Sequence, residues 1–124
     1  MEGQRTLTAL IIDDELGVRE SFEWILKGLG VNTDYAETTQ EGLYKLAQNP
    51  YDFVFTDLKQ TPTGVEVWNY ALSRGIKNVY IMAAETVGEL FNKARMVAGD
   101  KLIIKPFDVK DIDRIIRQKP QEPT

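Results

Sequence analysis

The 124 residues contain no cysteine and no histidine. The first absence removes disulfides, thiol nucleophiles and zinc–thiolate sites. The second removes the usual general base near neutral pH and the commonest transition-metal ligand. Long apolar runs are missing too. Stretches such as Leu10-Ile11-Ile12 fall far short of the ~20 residues that a membrane-spanning helix needs. The start, Met1-Glu2-Gly3-Gln4-Arg5, lacks the basic opening and apolar stretch of a secretory signal. A cytoplasmic location without membrane contact is the expectation. Positive charge is also in deficit: 15 Lys and Arg face 19 Asp and Glu, a net charge of −4. A domain that grips a phosphate backbone is normally basic, so direct nucleic-acid binding by this chain is not expected.

Carboxylates, lysines and hydroxyls are left to do any chemistry. Carboxylates suit hard cations such as Mg²⁺ or Ca²⁺. The length fits one domain, since two separate cores would each be too small to stand alone. Residues 1–118 are expected to form it, with 119–124 as a tail or the start of a linker.

Strand-like and helix-like patterns alternate five times. Leu7 to Ile12 is apolar and rich in β-branched residues, as a buried strand should be. Val18, Phe22, Ile25, Leu26 and Leu29 then recur at helical spacing, and Gly28 and Gly30 close that helix. Val31 to Ala36 follows as a second strand. Thr38 with Glu41 forms a capping-box pattern for a short helix carrying Leu43, Leu46 and Ala47. Phe53 to Thr56 is a third strand running into Asp57, and the helix after it carries Val65, Trp68, Ala71 and Leu72. Val79 to Met82 is a fourth strand. Thr86 with Glu89 suggests a second capping box, opening a helix with an apolar stripe of Val87, Leu90, Phe91, Ala94 and Val97. Leu102-Ile103-Ile104 is a fifth strand, and a last helix from Asp108 directs Val109, Ile112 and Ile116 inward. This order predicts an α/β fold, a doubly wound five-stranded parallel sheet with five helices.

In open sheets of this kind the site lies beyond the carboxyl ends of the strands. That rule selects Asp13 and Asp14 after the first strand, Asp57 at the end of the third and Lys105 after the fifth. Three neighbouring acids repel: two unit charges ~4 Å apart cost about 4 kcal/mol at an effective dielectric near 20. A divalent cation relieves the repulsion and a lysine partly offsets it. A carboxylate beside a metal and an ammonium is equipped to accept a phosphoryl group. Taken singly these residues have plainer explanations: Asp14 as a helix cap, Asp57 as a turn residue, Lys105 as a solvated lysine. Their convergence at three strand ends favours a functional site.

The order Ile11-Ile12-Asp13-Asp14-Glu15, then Thr56-Asp57, then Lys105-Pro106-Phe107, resembles that of response regulator receiver domains over about residues 6 to 118. The resemblance implies the flavodoxin-like, chemotaxis-regulator-like topology with strand order 2-1-3-4-5. It implies that Asp57 accepts phosphate from a sensor histidine kinase and that Asp13, Asp14 and Asp57 hold Mg²⁺ with the main-chain carbonyl of Lys59. It further implies that Lys105 contacts the phosphoryl group and that the Lys105–Pro106 bond is cis. The chain would then be a signalling domain rather than an enzyme, beyond Mg²⁺-dependent self-phosphorylation from small donors and autodephosphorylation. The segment from Asp13 to Ser21 is similar to receivers of nitrogen-regulation-type transcriptional activators, which implies a role in transcription regulation.

Three features depart from the family pattern. Ala83 stands where the family carries Ser or Thr, so no hydroxyl can turn toward the phosphoryl group. A hydrogen bond to a charged group contributes roughly 1.5–3 kcal/mol, so the phosphorylated arrangement is less favoured. Leu102 stands where the family carries Tyr or Phe, which removes the other half of the usual relay. The loop from Asp57 to Gly64 is one residue shorter than usual, and its Lys59 side chain either contacts phosphate or faces solvent, with solvent the expectation. Thr86 is read as a helix cap and not as a substitute for the missing hydroxyl.

Two enzyme readings fit poorly. An aspartate-nucleophile phosphatase resembles strand-Asp-x-Asp, but here Asp57-Leu58-Lys59 lacks the second carboxylate. Gly28-Leu29-Gly30 ends a helix, whereas a dinucleotide fingerprint opens one. The remaining alternative is a phosphorylation-independent pseudo-receiver that acts as a protein-interaction module. The family resemblance allows a homodimer through the fourth helix, fifth strand and fifth helix. There Glu89, Lys93, Asp111, Arg114 and Arg117 offer mixed charge or form an ordinary solvated surface, and the sequence leaves the oligomeric state open. No DNA-binding or enzymatic segment follows residue 118, so the chain reads as a stand-alone receiver or as part of a longer regulator with an output domain.

Overall fold

The computed structural model describes residues 6–118; the expected tail at 119–124 lies outside the described residues. Five strands, β1 (Thr8–Ile12), β2 (Asn32–Ala36), β3 (Phe53–Asp57), β4 (Asn78–Ala83) and β5 (Leu102–Ile104), alternate with five helices. The helices are α1 (Leu16–Gly28), α2 (Thr39–Gln48), α3 (Gly64–Ser73), α4 (Glu89–Ala98) and α5 (Val109–Arg117). All strand pairs are parallel, in the order β2-β1-β3-β4-β5. This is the doubly wound, flavodoxin-like topology expected from the sequence.

The pleat sorts the side chains into two layers. Leu10, Ile12, Val54, Val79, Ile81 and Ala83 face one side, where Leu46 of α2, Val65, Val67 and Trp68 of α3 and Ala94 of α4 cover them. Ala9, Ile11, Phe53, Phe55 and Met82 face the other, under Phe22 and Leu26 of α1 and Ile112 and Ile116 of α5. Both faces of β1 are thereby dry, and Ala9 to Ile12 have no exposed surface. This explains why the strand reads as an unbroken apolar run instead of an alternating one. Phe22 packs tilted against Phe55 with ring centroids 4.7 Å apart, and against Phe107 at 4.9 Å. The contacts tie α1 to the central strand and to the loop that carries Lys105.

Several local expectations change. Thr38 does cap α2, accepting from the Glu41 N–H, but the Glu41 carboxylate accepts from the Glu37 N–H and not from Thr38. Thr86 does not cap α4. That helix starts after Gly88, whose φ of 104° is open to glycine and costly for threonine, and no side chain caps it. Val87 is 75% exposed, so it leaves the expected apolar stripe. Complete capping boxes occur instead at Thr63 with Glu66 on α3 and at Asp108 with Asp111 on α5. Leu72 and Val109 point largely outward, while Val67 is fully buried.

Gly64 opens α3 directly against the end of β3. A Cβ there would lie 2.5 Å from the Asp57 carbonyl oxygen and 2.8 Å from the Leu58 Cα. Its N–H donates to the Leu58 carbonyl at 2.9 Å. The close approach fixes the loop that leaves Asp57.

Candidate functional site

Asp13, immediately after β1, is fully buried. Its N–H donates to the Ala36 carbonyl, which holds the strand end against β2. One carboxylate oxygen accepts from the Glu15 N–H at 2.9 Å, and the other from the Lys105 ammonium at 2.7 Å. Asp14, the next residue, is exposed and does not cap α1; the cap position belongs to Glu15, whose side chain makes no capping bond and instead pairs with Lys105 at 3.5 Å.

Asp57 closes β3, with the Leu58 N–H donating to the Met82 carbonyl of β4. Its carboxylate is largely enclosed, but its donors are distant: Lys105 Nζ at 3.4 Å and Gln60 Nε2 at 3.5 Å. Oxygens from Asp13, Asp14 and Asp57 all lie within 4.8 Å of one another. Burial raises the Asp57 carboxyl pKa and the Asp13 charge raises it further; Lys105 and Gln60 pull the other way without winning. For Lys105, burial disfavours the ammonium, but the Asp13 and Asp57 carboxylates outweigh it and lift its pKa above the ordinary value. Lys105 therefore stays charged, and its nearest partner is Asp13.

A main-chain hydrogen bond to β4 places Lys105. Its N–H donates to the Ala83 carbonyl at 2.8 Å, and the Lys105–Pro106 bond is cis, as the resemblance implied. Thr61–Pro62 is also cis, which the sequence did not suggest.

Oxygen-only ligands, three carboxylates in one cluster and an unrelieved repulsion on Asp57 all fit a hard divalent cation. Beside them lies a cavity of about 400 Å³, lined by Asp57, Lys59, Ala83, Glu85, Phe91 and Lys105 among others. Ala83 is almost fully buried and offers no hydroxyl, while Leu102 packs in the layer that holds Leu90 and Phe91. The Lys59 side chain is solvent-exposed, as expected, but is not free: it pairs with Glu85 at 2.9 Å.

Gln60 was missed in the sequence. Its amide oxygen accepts from the Thr39 N–H at 2.9 Å, and its amide nitrogen reaches both the Glu37 carbonyl and Asp57. It thus ties the loop after Asp57 to the start of α2. Thr39, fully buried, adds a bond from its hydroxyl to the Pro62 carbonyl. An amide three residues after a strand-end carboxylate was the one available signal.

Among the described residues no helix is long and apolar enough to cross a membrane. Residues 9–117 match the family model described as "Response regulator receiver domain". A CheY-like receiver domain protein from Methanospirillum hungatei JF-1 is similar at 26% identity and a TM-score of 0.79, covering 93% of this chain and 94% of that one. A response regulator from Thermotoga maritima shares the fold at 19% identity and a TM-score of 0.75, covering 91% and 97% of the two chains. A chemotaxis response regulator of Vibrio cholerae does so at 17% identity and 0.74, covering 92% and 98%. None of the curated proteins compared with the chain matches it by sequence. The match over nearly the whole chain, on a fold whose strand ends carry the acidic cluster and its lysine, makes this chain a member of the response regulator receiver domain family of two-component signalling.

Proposed function

We propose that Asp57 accepts a phosphoryl group from a sensor histidine kinase, with Asp13, Asp14 and the main-chain carbonyl of Lys59 joining it as ligands of Mg²⁺. Phosphorylation and Mg²⁺ are general to the family. The observation that carries the reading for this chain is the state of Asp57: enclosed, crowded by Asp13, and left with donors no closer than 3.4 Å. Its lone pairs are free to attack phosphorus. The bond from phosphorus to the donor's imidazole nitrogen then breaks, its electron pair returns to the ring, and the ring takes up a proton. Mg²⁺, when bound, supplies charge neutralisation for the phosphoryl oxygens. Lys105 supplies a fixed ammonium that stays protonated, and Asp13 orients it at 2.7 Å. Gln60 holds the loop after Asp57 against the start of α2 and reaches the carboxylate itself at 3.5 Å.

The switch is atypical, because Ala83 and Leu102 replace the hydroxyl and aromatic residues. That pair of substitutions favours a second reading, a phosphate-independent interaction module. Exposed Met96, Val97 and Ile104 support a homodimer face on α4 and β5 in either case. The segment from Asp13 to Ser21 supports a place among nitrogen-regulation-type transcription regulators, working in the cytoplasm with an output domain in the same or a partner chain.

The test is incubation with a small-molecule phosphodonor and Mg²⁺, read by intact mass, with Asp57→Asn as control. One phosphoryl group on the native chain and none on the variant is the expected result. No uptake by a chain that still binds Mg²⁺ would favour the interaction module.

A further inference from the structure

Position 83 leaves a gap in the site: no polar side chain at the end of β4 can reach a group on Asp57. The structure puts a different polar pair across the same cavity. Lys59 stands two residues beyond Asp57, and Glu85 stands two beyond Ala83. β3 and β4 pair Asp57 with Met82, so the loops leaving the two strands are neighbours. Lys59 Nζ meets Glu85 Oε1 at 2.9 Å, and both residues line the cavity shared by Asp57, Ala83 and Lys105. The other cation on that wall, Lys105, is held by Asp13 at 2.7 Å and reaches Asp57 only at 3.4 Å.

The pair is held weakly. Its side chains are 72% and 63% exposed, so water screens their attraction and little stability is lost when they part. The segment bearing Glu85 is lightly anchored. Ala84 to Val87 are exposed, and the segment ends at Gly88, where α4 starts without any side-chain cap. A phosphoryl group on Asp57 brings a charge of about −1.5 to −2 into a largely enclosed position. It attracts the Lys59 ammonium with more charge than Glu85 offers, and it repels Glu85.

We propose that the Lys59–Glu85 ion pair is a charge-operated latch that stands in for the missing hydroxyl. When Asp57 carries a phosphoryl group, the Lys59 ammonium leaves Glu85 for a phosphoryl oxygen. Glu85, now unpaired and repelled, moves outward and carries residues 84–88 and the start of α4 with it. The bound phosphoryl group is thereby read out at α4 with no inward-turning Ser or Thr and no aromatic partner. The latch rests on the reading of Asp57 as phosphoacceptor and adds the residues that sense the new charge.

The test uses the full chain with Mg²⁺ and beryllium trifluoride as the phosphoryl probe, with affinity and amide chemical shifts followed by NMR. Lys59→Met removes the cation and keeps the main-chain carbonyl. It is expected to weaken probe binding about tenfold, the worth of one charge-assisted hydrogen bond at a partly exposed site. Glu85→Gln frees the lysine and should tighten binding roughly two- to threefold, on the scale of one screened charge pair. The double variant should behave as Lys59→Met, and Lys59→Arg should recover most of the native affinity. In the native chain the amides of residues 84–88 should shift on binding, and in Lys59→Met they should barely respond. Native affinity in Lys59→Met, or a response of the 84–88 amides in that variant as large as in the native chain, overturns the latch while leaving the phosphoacceptor reading intact. A native chain that binds no probe removes both. Both side chains are exposed, so equal melting temperatures across the set separate these outcomes from misfolding.

Discussion

Asp34 and Asp57 are both strand carboxylates in parallel strands of one sheet, and their surroundings do opposite things to them. Asp34, on the edge strand β2, accepts from the Tyr51 hydroxyl at 2.6 Å, the Lys45 ammonium at 2.9 Å and the Tyr35 N–H at 2.8 Å. Burial raises its pKa, but these three donors more than reverse the effect and hold it below the ordinary carboxylate value. Burial and the same Asp34 charge push the Tyr51 phenol well up, so it remains a donor. Asp57 has only long contacts to Lys105 and Gln60 and a like charge on Asp13, and its pKa moves up. One carboxylate is saturated with donors and serves the fold. The other is crowded and under-bonded, which costs the fold and leaves an oxygen available for chemistry.

The largest break in that comparison comes from Lys105→Met. It removes the 2.7 Å partner of a fully buried Asp13 and the ammonium that reaches the Asp57 carboxylate at 3.4 Å. An uncompensated buried charge costs about 3–5 kcal/mol. Urea unfolding at pH 7 without Mg²⁺ should show a loss on that scale, and Mg²⁺ should recover part of it. A loss below about 1 kcal/mol would mean that the cluster does not depend on the lysine.

Asp34→Asn is the smaller counterpart on the structural side. Asp34 is partly exposed, so screening limits the loss to about 1 kcal/mol. Because the folded-state pKa is depressed, the native contribution is present above the unfolded value of about 3.9 and fades as pH falls through the lower folded value. The deficit of the variant should therefore be steady near pH 7 and shrink in acid. A deficit that grows in acid would reverse the assignment of Asp34.

The Asp57 side of this contrast was legible in the sequence, the Asp34 side was not, and what was missed has a common cause. β1 and β3 announce themselves because burial on both faces forces short apolar runs, and the acids at their ends mark the site through the strand-end rule alone. Asp13, Asp14, Asp57 and Lys105 were found that way. Gln60, the Lys59–Glu85 pair and the Asp34–Tyr51 bond were not, since each depends on where two loops or two distant segments meet. Thr86 misled for a local reason. Thr86 and Glu89 match the capping spacing, but Gly88 between them takes a positive φ, so the helix begins two residues later than a threonine cap requires. The pattern at Thr63 and Glu66 was real and went unread because Gly64 beside it resembled a loop residue.

The finest test asks whether Asp57 really works against the fold. A carboxyl whose folded pKa is raised binds more protons folded than unfolded, so stability falls as pH rises from about 3.9 through the raised value. Asp57→Asn keeps the shape and removes the charge, along with its repulsion from Asp13. At pH 7 without Mg²⁺ the variant should be the more stable, by something on the order of 1 kcal/mol or less, since Lys105 already offsets part of the repulsion. As pH falls toward about 4 the native carboxyl protonates and the advantage should disappear. Denaturant midpoints for both proteins across that range decide it. An advantage independent of pH would trace the gain to packing or to the amide's own hydrogen bonds. A loss of stability at pH 7 would show that the Lys105 contact outweighs the crowding, and Asp57 would then belong with Asp34 among the residues that hold the fold together.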